Sequence, residues 1–106
     1  MPEPVRGEVW LTDLGFAAKV RPCLVLSVAP ASTERALATL IPHTTSTRQS
    51  RFDVRTGVPF LREGAFDSQS LVTVPVPRLI RRLGALSPPQ LRQVEASVMQ
   101  WLGIQQ

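Results

Sequence analysis

Short apolar runs, each bounded by turn residues, recur along much of the chain and predict β-strands. Residues 8–13 form a short strand pattern that follows Gly7 and ends at an Asp-Leu-Gly turn signal, after which residues 15–19 form a small loop. Residues 23–28 are apolar except for Ser27, which predicts a central strand with both faces covered. Residues 36–41 resume the extended pattern, and we expect them to pair antiparallel with that strand.

The middle of the chain is more polar and is divided by turns. Residues 42–47 read Pro-His-Thr-Thr-Ser-Thr, and because buried hydroxyl groups need partners, they predict a polar loop outside the core. Residues 52–54 alternate as a short half-exposed strand, whereas residues 58–63 match no pattern. Residues 64–75 contain two strand-like pieces with small polar residues between them. Residues 78–84 predict a single basic helical turn closed by glycine.

The C-terminal segment carries complete helix signals. Ser87 suits the N-cap, Pro88 the first helical position, Gln90 completes a capping box, and Gly103 marks the end. Several strands followed by one helix, without alternating strand-helix units, predict a mainly β fold, a largely antiparallel sheet or small barrel. One apolar face of the helix is expected to pack on that sheet, and it carries Leu91, Val94, Val98, Trp101 and Leu102.

Length and charge narrow the class of protein. The 106 residues, 43% of them hydrophobic, suit a single domain over residues 1–106. Twelve basic residues against eight acidic ones leave a net charge of +4, and every basic residue except Lys19 is arginine. Such a surface favours a polyanion, nucleic acid first, and the alternative is a solvated arginine-rich face.

Several kinds of chemistry are poorly supported by this composition. The single cysteine, Cys23, lies in an apolar run, which indicates a small buried side chain rather than a disulfide partner or a nucleophile. One histidine and one cysteine cannot supply the usual zinc ligands, and we expect neither a metal nor a cofactor. The sequence has no glycine-rich phosphate loop and no nucleophile elbow. Without a signal peptide or a membrane-spanning run, it predicts a soluble cytoplasmic protein with no membrane contact.

Arg21 precedes Pro22 at the start of the central apolar run. Proline fixes its own backbone angle and favours an extended conformation in the residue before it, so Arg21 is expected in a rigid, non-helical position just outside the core. An arginine held in this way is available for an anion. The alternative is a salt bridge to Asp13 or Glu8 that holds the neighbouring loop.

Several motifs follow one another in a recognisable order along nearly the whole chain. They are Arg-Gly-Glu-Val-Trp at residues 6–10 with Asp13, Arg-Pro-Cys-Leu-Val-Leu-Ser at residues 21–27, Ile-Pro-His-Thr-Thr-Ser at residues 41–46, residues 66–75, and residues 78–84 before the C-terminal helix. In this combination the chain resembles the MazF/PemK group of toxin endoribonucleases, which are called mRNA interferases.

The resemblance implies a fold, an activity and partners. The fold is an SH3-like small barrel of the MazF/PemK/CcdB type with a C-terminal helix, assembled as a homodimer. The activity is metal-independent cleavage of single-stranded RNA, in which a ribose 2′-hydroxyl attacks its own phosphate. The chain is then the toxin of a type II toxin-antitoxin pair. A disordered, acidic antitoxin tail covers its RNA site, and operator DNA is bound only through the antitoxin.

The same resemblance assigns roles to individual residues. Arg21 and Thr44 map onto the arginine and the threonine that hold the scissile phosphate, where their donors meet its growing negative charge. The alternative for Thr44 is a hydroxyl-rich turn that caps its own backbone. The general base is unassigned because arginine does not readily deprotonate, and His43 is one candidate. The further residues expected to contact RNA are Asp13, Lys19, His43, Thr45, Ser46, Gln69 and Ser70.

Two departures from the family pattern bear on specificity. Residues 14–20 are shorter than the family's loop between the same two motifs, which predicts an altered or relaxed sequence preference. Where the family has a glutamine before a Thr-Val pair, either Gln69 fills the position by a shift of one residue or Ser70 replaces it.

Two other classes of function stay open. One is a non-enzymatic toxin that binds a protein, like the gyrase poison CcdB. The other is a catalytically inactive module that only binds antitoxin or DNA. Three arginines near the C-terminal helix fit either a solvated face or a contact with RNA or antitoxin, namely Arg78, Arg81 and Arg82.

Overall fold

The computed structural model describes residues 2–105, within which seven β-strands and one α-helix form the fold. The strands are β1 (Glu8–Asp13), β2 (Val20–Val25), β3 (Leu37–Thr44), β4 (Asp53–Val54), β5 (Ala65–Asp67), β6 (Val72–Pro75) and β7 (Leu79–Ala85). Helix α1 (Pro88–Leu102) follows, and single 3-10 turns occupy Phe16–Ala18, Ser68–Ser70 and Val76–Arg78. No helix in this range is long and apolar enough to cross a membrane.

Strand β3 joins the sheet together, and all the recorded strand pairs are antiparallel. The strand order is β4-β5-β3-β2-β1-β7, and β6 pairs with the first half of β3. This mostly antiparallel sheet with one C-terminal helix confirms the predicted fold class. Closure into an SH3-like barrel stays a prediction, because β4 and β7 are the two ends of the recorded order.

The central strand β2 buries side chains on both faces, as its apolar run predicted. Successive residues of a strand point to opposite faces, so Leu24 joins one core cluster while Cys23 and Val25 join another. The strand begins at Val20 and ends at Val25, three residues earlier at each end than predicted, and therefore includes Arg21 itself. The predicted antiparallel pairing with the next strand is confirmed.

Helix α1 has the predicted caps at both ends. The Gln90 N–H donates to Ser87 Oγ at 3.3 Å, and the Ser87 N–H donates to Gln90 Oε1 at 2.9 Å, which completes the capping box. Gly103 ends the helix with a φ of 71°, a left-handed conformation that glycine adopts readily. Capping at both ends fixes the length of the helix that covers the sheet.

The apolar face of α1 packs on the sheet over only part of its predicted length. Val94 and Val98 are buried in the same cluster as Leu24, which confirms the central part of the prediction. Trp101 and Leu102, in the last turn of the helix, are 44% and 49% exposed. The expectation that these two residues lie in the core is therefore wrong, although Trp101 makes an edge contact with a buried phenylalanine, Phe52.

The predicted polar loop at residues 42–47 begins three residues too early, because β3 continues through Pro42 and His43 to Thr44. Pro42 falls between the part of β3 that pairs with β6 and the part that pairs with β5, where a missing N–H donor is tolerated. His43 is buried and packs edge-on against Phe66 with 5.1 Å between ring centroids. Pairing with β5 thus overrides the local turn chemistry.

The predicted basic helical turn at residues 78–84 is wrong, since most of this segment is strand β7. β7 pairs with β1 through two register shifts, and these leave Ile80 and Leu83 between successive paired residues. The extra residues break the alternation of apolar and polar positions that identifies a strand. For this reason the segment resembles one turn of helix when only its sequence is considered.

We predict that Gly64→Ala destabilises the protein by about 1–3 kcal/mol, the usual cost of overpacking. A Cβ at this position overlaps the backbone oxygen of Thr44 and lies 3.0 Å from His43 Cε1, so backbone must move. The measurement is urea unfolding. Gly103→Ala is the comparison, since its Cβ meets open space and only its positive φ opposes alanine. Equal losses in the two variants would contradict the prediction.

Candidate functional site

An open groove of about 680 Å³ lies where β2 begins and β3 ends, beside β7 and the segment before β5. Four cations, one histidine and three hydroxyl side chains line it above an apolar floor. The cations are Lys19, Arg21, Arg62 and Arg81, and the other polar residues are His43, Thr44, Thr45 and Ser46. The floor consists of Leu11, Val20, Pro22, Phe60, Leu61 and Leu83.

Register in the sheet brings Arg21 and Thr44 to the same level of this groove. The pairing of β2 with β3 ends at Cys23 and Pro42, and both strands continue past that pair. Arg21 lies two residues beyond the pair on one strand and Thr44 lies two residues beyond it on the other. Equal steps along adjacent antiparallel strands cover equal distances, so the two residues face a shared space.

Arg21 has no ion-pair partner within residues 2–105. Both carboxylates proposed as its alternative partners are engaged elsewhere. Glu8 accepts from Arg82 Nε at 2.7 Å, and an Asp13 oxygen lies 4.0 Å from Arg78. The guanidinium of Arg21 is therefore available to a bound anion.

Glu8 is held as a carboxylate by its neighbours. Burial alone would raise the pKa of Glu8, but hydrogen bonds from the Val5 N–H, Trp10 and Arg82, together with the charge of Arg82, lower it. The pair with Arg82 joins β1 to β7 at the edge of the sheet. These contacts keep this acidic group away from the groove.

Thr44 makes the local turn that was considered as its alternative role. Its Oγ1 accepts from the Ser46 N–H at 3.0 Å, which holds the first residues of the loop after β3. The same loop is tied further along, where Arg55 donates to Thr47 Oγ1 at 2.9 Å. A hydroxyl in this position is oriented by the backbone while it lines the groove.

The loop between β1 and β2 is short and is closed by its own backbone. The Leu14 N–H donates to the Lys19 oxygen at 2.9 Å, and the Lys19 N–H donates to the Gly15 oxygen at 3.0 Å. Phe16 and Lys19 have positive φ angles of 29° and 59°, where residues other than glycine are strained. The loop therefore has a defined shape that leaves Phe16 fully exposed and Lys19 at the groove.

His43 lies on the groove wall and is largely buried, with 8% of its surface exposed. Burial lowers the pKa of His43 below its ordinary value of 6.5. The imidazole is therefore neutral at neutral pH, and its ring is oriented by the edge contact with Phe66. A neutral imidazole can accept a proton, which the neighbouring guanidinium groups cannot do.

Three residues predicted to contact a ligand lie outside the groove's lining, namely Asp13, Gln69 and Ser70. Asp13 holds the loop that follows it by accepting from the Gly15 N–H at 2.9 Å. Gln69 and Ser70 belong to a 3-10 turn capped by Asp67, which accepts from the Ser70 hydroxyl at 2.7 Å. Their contact with RNA stays a prediction.

Sequence reasoning missed part of the groove. Arg62 and the apolar residues before it come from residues 58–63, which matched no pattern. From the sequence, Arg81 is one of three arginines that fit either a solvated face or a contact with RNA or antitoxin. Its place opposite Leu11 in the β1–β7 ladder brings it to the groove, and that long-range pairing has no local signal.

Within the described residues, no three His, Cys, Asp or Glu side chains are grouped as metal ligands.

Residues 5–102 match the family model for the PemK-like, MazF-like toxin of the type II toxin-antitoxin system. The chain belongs to this toxin family. The resemblance drawn from the motifs is thereby confirmed, over nearly the whole chain.

Several solved structures share the fold of this chain. An endoribonuclease from a mycobacterial species has a TM-score of 0.82 at 23% identity, with 100% of this toxin and 97% of that chain covered. A MazE-MazF complex from Deinococcus radiodurans has a TM-score of 0.81 at 22% identity, with 99% and 100% covered. The Mycobacterium tuberculosis toxin MazF-mt6 has a TM-score of 0.79 at 22% identity, with 93% and 99% covered.

We predict that His43 of this toxin titrates below pH 6.5 in the folded state, since burial opposes its charged form. It is the one histidine in the sequence, so a proton NMR titration of its ring gives the value directly. The urea-unfolded chain is the control and should titrate at the ordinary value. A folded pKa at or above that value would contradict the prediction.

The lowered pKa of His43 also makes the free energy of unfolding depend on pH. As pH falls through 6.5, the unfolded chain takes up a proton that the folded chain still resists. The free energy of unfolding contributed by His43 is thus present above that pH and is lost below it. As pH is lowered through 6.5, the free energy of unfolding should therefore fall less in His43→Gln than in the original chain. Urea unfolding at a series of pH values measures both.

Proposed function

We propose that this toxin is an endoribonuclease that cleaves single-stranded RNA in the groove between β2 and β3. The observation that carries the proposal is the shared position of Arg21 and Thr44, together with the absence of an ion-pair partner for Arg21 within residues 2–105. Similar folds described as endoribonucleases support the same activity. RNA is a cytoplasmic substrate, and we propose that location for the toxin.

The proposed reaction is an internal transesterification of RNA. The ribose 2′-hydroxyl oxygen forms a bond to the adjacent phosphorus while the bond from phosphorus to the 5′-oxygen breaks. The 2′-hydroxyl proton passes to a base, and the departing 5′-oxygen takes up a proton. The products are a 2′,3′-cyclic phosphate and a 5′-hydroxyl end, and the step needs no metal ion.

Negative charge grows on the nonbridging phosphate oxygens during this reaction. In the proposal the guanidinium of Arg21 donates two hydrogen bonds to those oxygens, and the Thr44 hydroxyl donates one more. Such donors act most strongly when they are oriented before the substrate arrives. The β2 strand holds Arg21 beside Pro22, and the Ser46 N–H orients the Thr44 hydroxyl.

The remaining groove residues suit a single strand of RNA. Lys19, Arg62 and Arg81 add positive charge along the groove, which attracts successive phosphates. Bases can pack on the apolar floor, which includes the ring of Phe60. Thr45 and Ser46 are proposed to donate to the sugar-phosphate backbone, and Asp13, Gln69 and Ser70 keep their predicted RNA contacts as part of the proposal.

His43 is the proposed acceptor of the 2′-hydroxyl proton. It lines the groove next to Thr44, and its lowered pKa keeps the imidazole neutral at neutral pH. An efficient general base has a pKa near the working pH, and it must be unprotonated before the reaction so that it can accept a proton. His43 is thereby distinguished from the cations around it, which carry no free lone pair.

A cognate antitoxin is the proposed protein partner. Two of the similar structures are complexes with an antitoxin, one of them the MazE-MazF complex from Deinococcus radiodurans. We propose that an acidic antitoxin segment covers the basic groove and blocks RNA. We also propose that the toxin is a homodimer and that it reaches operator DNA only through the antitoxin.

The decisive experiment is an RNA cleavage assay with EDTA present. Arg21→Ala and Thr44→Val should each lower the cleavage rate by about 10²–10³, the usual effect of removing one donor to a developing oxyanion. Thr44→Ser keeps the hydroxyl and should retain most activity. Arg35→Ala is the matched control, because it removes an arginine from the exposed loop between β2 and β3, away from the groove.

Three outcomes would contradict the proposal. Intact RNA together with undiminished growth arrest in cells would favour a toxin that binds a protein such as gyrase. Intact RNA without growth arrest, but with retained antitoxin binding, would favour an inactive binding module. Equal cleavage by Arg21→Ala and the original protein would remove Arg21 from the mechanism.

A further inference from the structure

A second pocket adjoins the groove on the side away from β2. It has a volume of about 400 Å³ and lies between the loop that follows β4 and the segment that precedes β5. Its apolar part includes Val58 and Leu61 together with the ring of His43. His43, Leu61 and Arg62 line both cavities, so the pocket lies directly beside the groove and a strand in the groove passes next to it.

The polar rim of this pocket offers both donors and an acceptor. Arg55 and Arg62 carry the donors, and Glu63 carries a carboxylate that has no ion-pair partner within residues 2–105. The guanidinium of Arg55 is oriented by its hydrogen bond to Thr47 Oγ1 at 2.9 Å. The wall is rigid because the Thr56 oxygen accepts from the Gln90 side chain at 3.1 Å, which ties it to α1.

We propose that this pocket binds one unpaired base of the RNA, adjacent to the phosphate held by Arg21 and Thr44. The inference rests on the proposed function and adds a specificity site to it. A base has an apolar face and an edge of mixed donors and acceptors, which matches an apolar floor, a histidine ring and a rim of both kinds. The volume lies in the usual range of about 300–1,000 Å³ for small-molecule sites.

An acidic peptide fits the pocket less well than a base. Arg55 and Arg62 attract carboxylates, but Glu63 repels them, and the apolar floor gives an aspartate or glutamate side chain nothing to bind. Arg62 lies on the wall shared with the groove, where the phosphate between two nucleotides would pass. Arg55 and Glu63 line the pocket but not the groove, so they are the residues that read the base.

The test uses binding, so that it does not depend on cleavage. The probe is a short fluorescein-labelled single-stranded RNA in which the attacking 2′-hydroxyls are replaced by hydrogen. A scan places a single abasic residue at each position in turn, and anisotropy gives the Kd. One abasic position should weaken binding to the original protein by about tenfold, the usual effect of losing one stacked base.

Variants of the rim identify the pocket that holds that base. Arg55→Gln and Glu63→Gln should each weaken binding of the intact RNA. In these variants the critical abasic residue should weaken binding little further, because the substitution and the missing base remove the same contact. Arg35→Gln is the matched control, since Arg35 lines neither cavity, and it should keep the full abasic effect. A cleavage assay on the unmodified RNA accompanies the scan.

The possible results separate this inference from the proposed function. RNA that is cleaved, with a full abasic effect in both rim variants, overturns the base pocket alone. RNA that is neither bound nor cleaved overturns the base pocket and the proposed function together. A labelled polyglutamate peptide that loses affinity in Arg55→Gln, while RNA binding is unchanged, assigns the pocket to an acidic peptide and overturns it as a base site.

Discussion

The antiparallel pairing of β2 with β3 is the constraint on which the rest of the fold depends. These strands supply residues to both core clusters, since Leu24 and Ile41 enter one while Cys23 and Leu40 enter the other. Their register also decides which residues meet where the pairing stops. A shift of one residue would exchange the two faces of a strand, so the groove and the cores are set by the same interaction.

Ion pairs elsewhere on the molecule determine the charge of the groove. Glu8 pairs with Arg82, Asp13 with Arg78, and Arg6 with Glu95, and each of these carboxylates lies outside the groove. The arginines that line the groove have no such partners in the described part of the chain. Unpaired cations above an apolar floor attract a ligand that is both anionic and partly apolar, and single-stranded RNA has these two properties.

Sequence alone predicted the elements that depend on local chemistry. The capping box at Ser87, the stop at Gly103 and the apolar run of β2 all rest on neighbouring residues, and all are confirmed. The errors concern segments whose partners are distant in sequence. The strand through Pro42 and His43 is stabilised by β5, and β7 is a strand because it pairs with β1 despite two bulges.

The candidate site was predictable to a similar extent. Arg21, Thr44 and the residues after them were reached through motifs, and β2 and β3 bring them together. Arg62 and Arg81 had no such signal, because each joins the groove only after the chain has folded back on itself.

The two walls of the groove differ in what they can recognise. The loop before β2 is short, bonded to its own backbone and strained at Phe16 and Lys19, so it offers one cation and little freedom to adapt. From residues 55–64, only Phe60, Leu61 and Arg62 line the groove itself. Other residues of this segment line the adjoining pocket, which combines cations, a carboxylate and apolar side chains. Discrimination among bases requires hydrogen-bond donors and acceptors together with a shaped apolar surface. The segment between β4 and β5 therefore offers more of these groups than the loop before β2.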